Sequence, residues 1–261
     1  MTNPTQNQPL ANPTPSPALG PVPGPDTAPE AIRAARRAAV LAGAAILLIA
    51  ALAGFGNLIV VEGMVTPGDA TTTARDILGS EGLFRLGVAS LYLAALVDVV
   101  VAWGLFLVFK SVHAEIARLS AWLRLAYAAV FMVALSQLVG IPALLNDTKS
   151  AHVFNHGQVQ AQALAKVDAF HDIWFAALAL FGAHLIGIGW LAYRSGFVPR
   201  LVGGLLLVAG AGYVLDSFVS VFVEDPSFHV SDVTFLGEFL LGLWLLVRSR
   251  RIAPTTMRSG S

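Results

Sequence analysis

The chain has 261 residues, of which 56% are hydrophobic and only 12% are charged, a composition far from that of soluble domains. Its 16 basic and 16 acidic residues balance without forming a basic block, which argues against nucleic acid as a partner. The absence of cysteine excludes a disulfide framework and a thiolate metal site. The composition therefore predicts a membrane protein in contact with the lipid bilayer.

The N-terminal segment differs from the rest of the chain. Residues 1–30 hold nine of the fourteen prolines and only two charged residues, Asp26 and Glu30. Such a segment cannot bury enough apolar surface to fold, and it lacks the basic start and the apolar region of a signal peptide. We expect a disordered cytoplasmic tail over residues 1–30, a transmembrane domain over residues 31–251 and a short cytoplasmic tail over residues 252–261.

Six apolar runs are long enough to cross about 30 Å of hydrocarbon. They cover Ala38–Val61, Leu83–Phe109, Trp122–Leu145, Ile173–Tyr193, Leu201–Val223 and Val233–Val247. Alternate flanks of these runs hold twelve of the sixteen basic residues, and the opposite flanks are rich in Asp and Glu. Because cytoplasmic flanks are rich in Lys and Arg, we expect an all-α bundle of six transmembrane helices in a plasma membrane, with both termini cytoplasmic.

The connections on the outer side are predicted to contain helix. Asp69 can cap a short amphipathic helix, Ala70 to Leu78, that lies on the outer surface. Helical spacing continues through residues 157–172 into the fourth span, which predicts one long helix that projects beyond the membrane. Gly140 and Pro142 predict a kink near the outer end of the third helix.

Several polar residues lie inside the predicted spans. The ionisable ones are Asp98, His184, Asp216 and Glu238, and Gln137 is a neutral companion. Such groups are costly in a membrane unless they are paired or hydrated, so each suggests a functional site. A rise of about 1.5 Å per residue places Asp216 and Glu238 at similar depths, where the two carboxyls would meet and share a proton or bind a cation. Hydrogen bonding between helices, with no further activity, is the alternative interpretation.

The fifth span carries a polar stripe. Tyr213, Asp216, Ser217 and Ser220 fall at i, i+3, i+4 and i+7, so they share one helical face. In contrast, Arg85 and Arg124 lie near the ends of predicted helices. We expect both arginines to reach toward the membrane surface, and Arg85 to pair with Glu81.

The histidines give weaker indications. His184 is interpreted as a satisfied interior histidine, because no second histidine inside the membrane is available for axial pairing. His152 and His156 have the i, i+4 spacing of a metal-binding pair, for which a solvated polar loop is the simpler explanation.

Four stretches together resemble a known family. They are residues 67–87 (PGDATTTARDILGSEGLFRLG), 119–130 (LSAWLRLAYAAV), 194–218 (RSGFVPRLVGGLLLVAGAGYVLDSF) and 237–247 (GEFLLGLWLLV). With the aspartate-bearing second helix, they are similar to bacterial membrane proteins with the domain of unknown function 4386, over about residues 36–250. The resemblance implies a six-helix inner-membrane protein of unestablished activity. The family-like positions in this chain are Arg85, Asp98, Arg124, His171, Asp216 and Glu238.

The leading hypothesis is an outward-facing pocket, built by the second, fifth and sixth helices, that binds a proton, a cation or a small polar ligand for transport or sensing. Asp216 and Glu238 would titrate, Asp98 would be the deeper carboxylate, and Arg85 and His171 would line the entrance. A first alternative is a membrane-embedded metal-dependent enzyme that acts on a lipid or quinone, with Asp98, His171, Asp216 and Glu238 as ligands.

A second alternative is a structural or accessory subunit without a ligand. The sequence favours a protein that is not an enzyme, and it predicts no particular cofactor. A homodimer would be one way for six spans to enclose a path.

Overall fold

The computed structural model describes residues 27–147, 154–222 and 236–249, and these residues are mainly helical. The first helix, α1 (Thr27–Ala53), begins within the predicted tail, continues as a π-helical segment (Gly54–Val61) and ends in α2 (Glu62–Met64). The remaining helices are α3 (Ala70–Gly79), α4 (Glu81–Phe109), α5 (Ala114–Val139), α6 (Ile141–Leu145), α7 (His156–Ser195), α8 (Arg200–Phe222) and α9 (Leu236–Arg248). No strand occurs in these three ranges, so the predicted all-α class is confirmed.

Five helical stretches of the described chain are long and apolar enough to cross a membrane. They are Ile32–Met64, Glu81–Phe109, Ala114–Leu145, His156–Ser195 and Arg200–Val219. The described part of the predicted sixth span, α9, has 13 residues, and the preceding residues 223–235 lie outside the described ranges. At about 1.5 Å per residue, 13 residues cover about 20 Å, less than the hydrocarbon thickness.

The outer surface of the bundle differs from that of a water-soluble protein. Large apolar side chains face outward, with Leu58 69%, Trp122 63% and Leu201 75% exposed. The interior is mainly apolar, but it holds a few ionisable side chains, and Arg124 is the largest fully buried side chain of all. Because Arg is almost never buried in soluble proteins unless it is paired, this distribution suits a bundle in apolar surroundings whose interior holds paired charges.

The long helices run in alternating directions, and glycines allow close approach between them. A Cβ atom on Gly182 in α7 would lie 2.5 Å from the carbonyl oxygen of Gly210 in α8, and one on Gly43 in α1 would lie 2.6 Å from that of Gly242 in α9. Such small residues let helix backbones touch where side chains would separate them. α9 therefore packs against α1 at backbone distance.

The alternating directions give the bundle two chemically different ends. The basic end carries Arg33, Arg36, Arg37, Lys110, Arg118, Arg194, Arg200 and Arg248. The acidic end carries Glu62, Asp69, Asp76, Glu81 and Asp147.

The predicted helix at the acidic end is confirmed. The Asp69 carboxylate accepts a hydrogen bond from the Thr72 backbone N–H at 2.9 Å and one from the Thr72 hydroxyl at 2.7 Å. These bonds stabilise the ionised form and lower the pKa of Asp69. The cap fixes the start of α3 at Ala70, as predicted from the sequence, and the helix ends at Gly79.

Two other local predictions are also confirmed. The helix of the third span is interrupted at Gly140, and α6 begins again at Ile141 with Pro142 in its first turn. α7 is continuous for 40 residues from His156 to Ser195, so the fourth span does extend through residues 157–172. Its N-terminus is closed by a capping box between Asn155 and Gln158.

The contact between α7 and α8 gives a test of the packing. Gly182→Ala should lower the free energy of unfolding by about 1–3 kcal/mol, because the new methyl group meets backbone atoms that cannot turn away. Gly204→Ala in α8 is the matched control, since a Cβ atom there meets nothing within 4 Å. Thermal unfolding of both variants in detergent measures the difference. Equal stability of the two variants would contradict the backbone contact.

Candidate functional site

A buried arginine joins side chains from four helices. The Arg124 guanidinium, from α5, donates to Asp98 Oδ1 on α4 through Nε at 2.7 Å and Nη2 at 2.5 Å. Its Nη1 donates to Glu238 Oε1 on α9. The Arg124 side chain is only 1% exposed, so both interactions are shielded from water. We call Arg124, Asp98, Glu238 and His184 the central cluster.

His184 completes the central cluster from α7. Its Nε2 lies 3.1 Å from Arg124 Nη1, and its Nδ1 lies 2.8 Å from the carbonyl oxygen of Ser120. Because an arginine can only donate and a carbonyl can only accept, Nε2 must accept and Nδ1 must carry the hydrogen. This pattern assigns a neutral imidazole and confirms the interpretation of His184 as a satisfied interior histidine.

The four helices carry the central cluster at one level. Arg124 follows the start of α5 by ten residues, and Glu238 precedes the end of α9 by ten. Asp98 and His184 each precede the ends of their helices by eleven residues. A rise of about 1.5 Å per residue puts every member about 15–17 Å from the basic end, which is close to half the thickness of a hydrocarbon core of about 30 Å.

Aromatic rings fill the space between α5 and α7 on the acidic-end side of the central cluster. The Phe181 ring lies under the guanidinium of Arg124, at 5.3 Å, and 4.8 Å from the Tyr127 ring. Phe131, Phe170 and Trp174 continue the contacts away from the cluster, and Trp174 Nε1 donates to the Tyr127 hydroxyl at 3.1 Å. This aromatic seam is largely buried, so it closes the direct path between these two helices.

The prediction for Arg124 is wrong. Its side chain does not reach the surface, because α5 begins at Ala114 rather than near Trp122. The His113 side chain accepts a hydrogen bond from the Ile116 backbone N–H, which caps the helix before its apolar part begins. The extra turns place Arg124 deep in the bundle. The capping residue His113, upstream of the apolar run, is the sequence signal that marks the start of this helix.

The expected face-to-face pair of Asp216 and Glu238 is also wrong. A Cβ atom on Gly237, the neighbour of Glu238, would lie 3.2 Å from backbone atoms of Leu205 and Leu206 in α8. Asp216 follows Leu205 by eleven residues, or about 16 Å along the helix. The carboxylate of Glu238 instead accepts from Arg124, which no local pattern links to it.

The polar stripe of α8 lies closer to the acidic end than the central cluster does. Asp216 and Ser217 are buried, and the Ser217 hydroxyl is 2.8 Å from the carbonyl oxygen of Phe175 and 3.0 Å from that of Tyr213. The Tyr213 ring makes an edge contact with Phe181 at 5.5 Å. The stripe therefore reaches the central cluster through Phe181, the ring that contacts Arg124.

Arg85 and Gln137 lie apart from the central cluster. Arg85 pairs with Glu81 at 2.8 Å, as predicted, and its side chain is 56% exposed. It lines an open pocket of about 190 Å³ at the acidic end, together with Phe84, Val88, Ala89, Tyr92, Leu138, Val139 and Pro142. Gln137 is half-buried and follows Arg124 by thirteen residues, about 20 Å along α5.

The predicted metal ligands do not assemble. Within residues 27–147, 154–222 and 236–249, no three His, Asp or Glu side chains are placed to hold one metal ion. The proposed set of Asp98, His171, Asp216 and Glu238 is therefore wrong, because Asp98 and Glu238 converge on Arg124 instead. His152 lies outside the described residues, and His156 is an exposed residue at the start of α7.

His171 has a different partner at the acidic end. Its Nε2 lies 3.2 Å from Glu62 Oε1, and both side chains are partly exposed. Asn57 Nδ2 lies 3.5 Å from the same Glu62 oxygen. Glu62 and Asn57 were not among the residues singled out by sequence reasoning.

Comparison with known proteins identifies relatives without a known activity. A family model described as Domain of unknown function (DUF4386) matches residues 41–249. An uncharacterized protein of Archaeoglobus fulgidus is 25% identical over 166 residues, which cover 64% of this chain and 85% of the relative. No solved structure matches the chain.

Removing the guanidinium from the central cluster should destabilise the bundle. Arg124→Leu leaves two carboxylates buried without a cation, so we expect a loss of about 3–5 kcal/mol. The matched control, Arg85→Leu, removes an exposed arginine and should cost at most about 1 kcal/mol. Thermal unfolding in detergent compares the two variants.

A compensation experiment tests the cause of that loss. Adding Asp98→Asn and Glu238→Gln to Arg124→Leu removes the unpaired charges and should recover part of the stability. A triple variant that is no more stable than Arg124→Leu alone would show that lost packing, rather than unpaired charge, dominates.

Proposed function

The chain belongs to the family described as Domain of unknown function (DUF4386), and we propose that it is an integral membrane protein whose central cluster binds a proton, for transport or sensing. The observation that carries this proposal is the number of charges around Arg124. One guanidinium faces two carboxylates and one histidine that accepts a hydrogen bond from it.

The proposed topology has six spans in a plasma membrane. The five long apolar helices and the apolar outer surface support membrane insertion. α9 would be the described part of the sixth span. The concentration of Lys and Arg at the basic end supports a cytoplasmic location for that end and for both termini.

The charge of the central cluster explains why a proton would bind. With Asp98 and Glu238 ionised, Arg124 protonated and His184 neutral, the cluster carries one net negative charge. An uncompensated charge in an apolar bundle is costly, and one bound proton or one monovalent cation removes it. Because Arg124 contacts both carboxylates directly, a cation could enter only if the helices moved apart. A proton needs no such movement, so we propose the proton as the ligand.

Glu238 is the carboxylate that we propose takes up the proton. Its side chain is 18% exposed, against 5% for Asp98, which gives a proton better access to it, and it contacts one nitrogen of Arg124, whereas Asp98 Oδ1 contacts two. A neutral Glu238 would be attracted less strongly to Arg124. Protonation would therefore weaken the contact between α9 and the other three helices of the cluster. A movement of α9 could then couple proton binding to transport or sensing.

The polar stripe of α8 fits the same proposal as part of the route from the acidic end. Asp216 and Ser217 are buried on the side of the cluster toward that end, and Tyr213 contacts Phe181. Arg85 and His171, at the acidic end, would lie where a ligand enters. The central cluster would then be reached from the outer side of the membrane, as the sequence analysis expects for the binding pocket.

Infrared spectroscopy tests proton binding directly. Acidification of the purified protein should produce the carbonyl band of a buried protonated carboxyl group, shifted from the band of solvated carboxyl groups because the surroundings are apolar. Glu238→Gln should remove this band. Glu81→Gln, which changes a carboxylate at the acidic end, should retain it. A spectrum that does not depend on Glu238 would falsify the proposal.

Proton flux separates transport from sensing. Wild type in liposomes with a pH-sensitive dye inside should move protons when a pH gradient is imposed, and Glu238→Gln should not. A Glu238-dependent infrared band without flux would identify a sensor. The absence of both would leave the structural subunit as the remaining interpretation.

A further inference from the structure

We infer that Glu62, His171 and Asn57 form a binding site for a divalent transition-metal ion at the acidic end of the bundle. This site is separate from the central cluster and does not depend on the function proposed for it. The inference rests on the distances among the three side chains, on a buried amide that is only weakly hydrogen-bonded, and on the helix geometry that aligns the residues.

The first observation is the spacing of the two stronger ligands. His171 Nε2 and Glu62 Oε1 are 3.2 Å apart. Imidazole nitrogen and carboxylate oxygen bind Zn²⁺ at about 2.0–2.2 Å, and two such ligands of a tetrahedral ion lie about 3.3 Å from one another. An ion can therefore bind both atoms with little movement, once the Nε2 proton has moved to Nδ1 or to solvent.

The second observation is the buried amide of Asn57. Asn57 is 8% exposed, and its Oδ1 has no hydrogen-bond partner among the described residues. A buried amide that lacks a partner on one atom is held in its orientation only by the other atom. Its Nδ2 lies 3.5 Å from Glu62 Oε1, and a half-turn of the amide exchanges Nδ2 and Oδ1. The turned amide presents Oδ1 to an ion held by Glu62 and His171, and it leaves Nδ2 where Oδ1 now lies.

The third observation is the π-helical segment that carries Asn57. The backbone N–H of Glu62 donates to the carbonyl oxygen of Asn57, five residues earlier. In an α-helix, residues five apart point in directions that differ by about 140°. The wider π turn stacks Asn57 above Glu62, so the two side chains face His171 together. π-helical turns are frequent at functional sites.

The surroundings suit an ion that arrives from solvent. The Glu62 side chain is 49% exposed and that of His171 is 21% exposed, so the site is open at the acidic end. Within the described ranges no third His, Asp or Glu completes the site. The remaining ligands would be Asn57 Oδ1 and water. A mixed nitrogen and oxygen set of this kind favours zinc and its neighbours over calcium or magnesium.

Titration calorimetry of the detergent-purified full chain with Zn²⁺ tests the site. Wild type should bind one ion. Glu62→Gln and His171→Gln should each weaken the affinity at least tenfold, and Asn57→Leu should weaken it by a smaller factor. His156→Ala is the matched control, because this exposed histidine lies on the same helix, fifteen residues before His171, and should leave the affinity unchanged.

A second readout guards against variants that fold poorly. Co²⁺ bound to wild type should give visible absorption bands that weaken in His171→Gln and persist in His156→Ala, with gel filtration confirming that each protein is intact. Wild type that binds neither ion would overturn the inference. So would an affinity that depends on His156, or one that is unchanged when Glu62 or His171 is replaced.

Discussion

The buried guanidinium of Arg124 is the interaction on which the arrangement of the helices depends. A cation cannot stay in an apolar interior without counter-charges and hydrogen-bond acceptors close by. The chain supplies them from three other helices, as Asp98, His184 and Glu238. Because each partner comes from a different helix, the position of one side chain limits the relative rotation of α4, α5, α7 and α9.

Local signals account for the parts of the fold that could be predicted from the sequence. The length of the apolar runs predicts five of the helices. The side chain of Asp69 predicts the start of α3, and Gly140 with Pro142 predicts the break in the third span. The central cluster could be predicted only in part. Asp98, His184 and Glu238 stood out because ionisable residues are rare inside apolar runs, whereas Arg124 did not, since it was assigned to the end of a helix.

The errors have a common physical cause. The depth of a side chain in the bundle is predicted from its distance to the end of an apolar run. A helix continues beyond its apolar part wherever a cap and helix-forming residues allow it, as α5 does before Trp122. The pairing of Asp216 with Glu238 failed because the level of α9 is set by contacts distant in sequence, such as Gly237 with Leu205. The π-helical segment adds one residue to a helical turn, and its amino-acid composition does not distinguish it from an α-helix. The alignment of Asn57 with Glu62 therefore could not be predicted from the sequence.

The order of the cluster residues along the chain also bears on biogenesis. Asp98 precedes Arg124 by 26 residues, so a nascent hairpin of α4 and α5 already contains a neutralised ion pair. Such a hairpin enters a bilayer more readily than a helix with a lone cation. Glu238 is synthesised last and meets a guanidinium already held by Asp98 and His184. In the proposed topology, α9 then inserts beside an electrically neutral site in which Arg124 Nη1 donates to Glu238, and a ribosome that stops early leaves a bundle whose charges are already balanced.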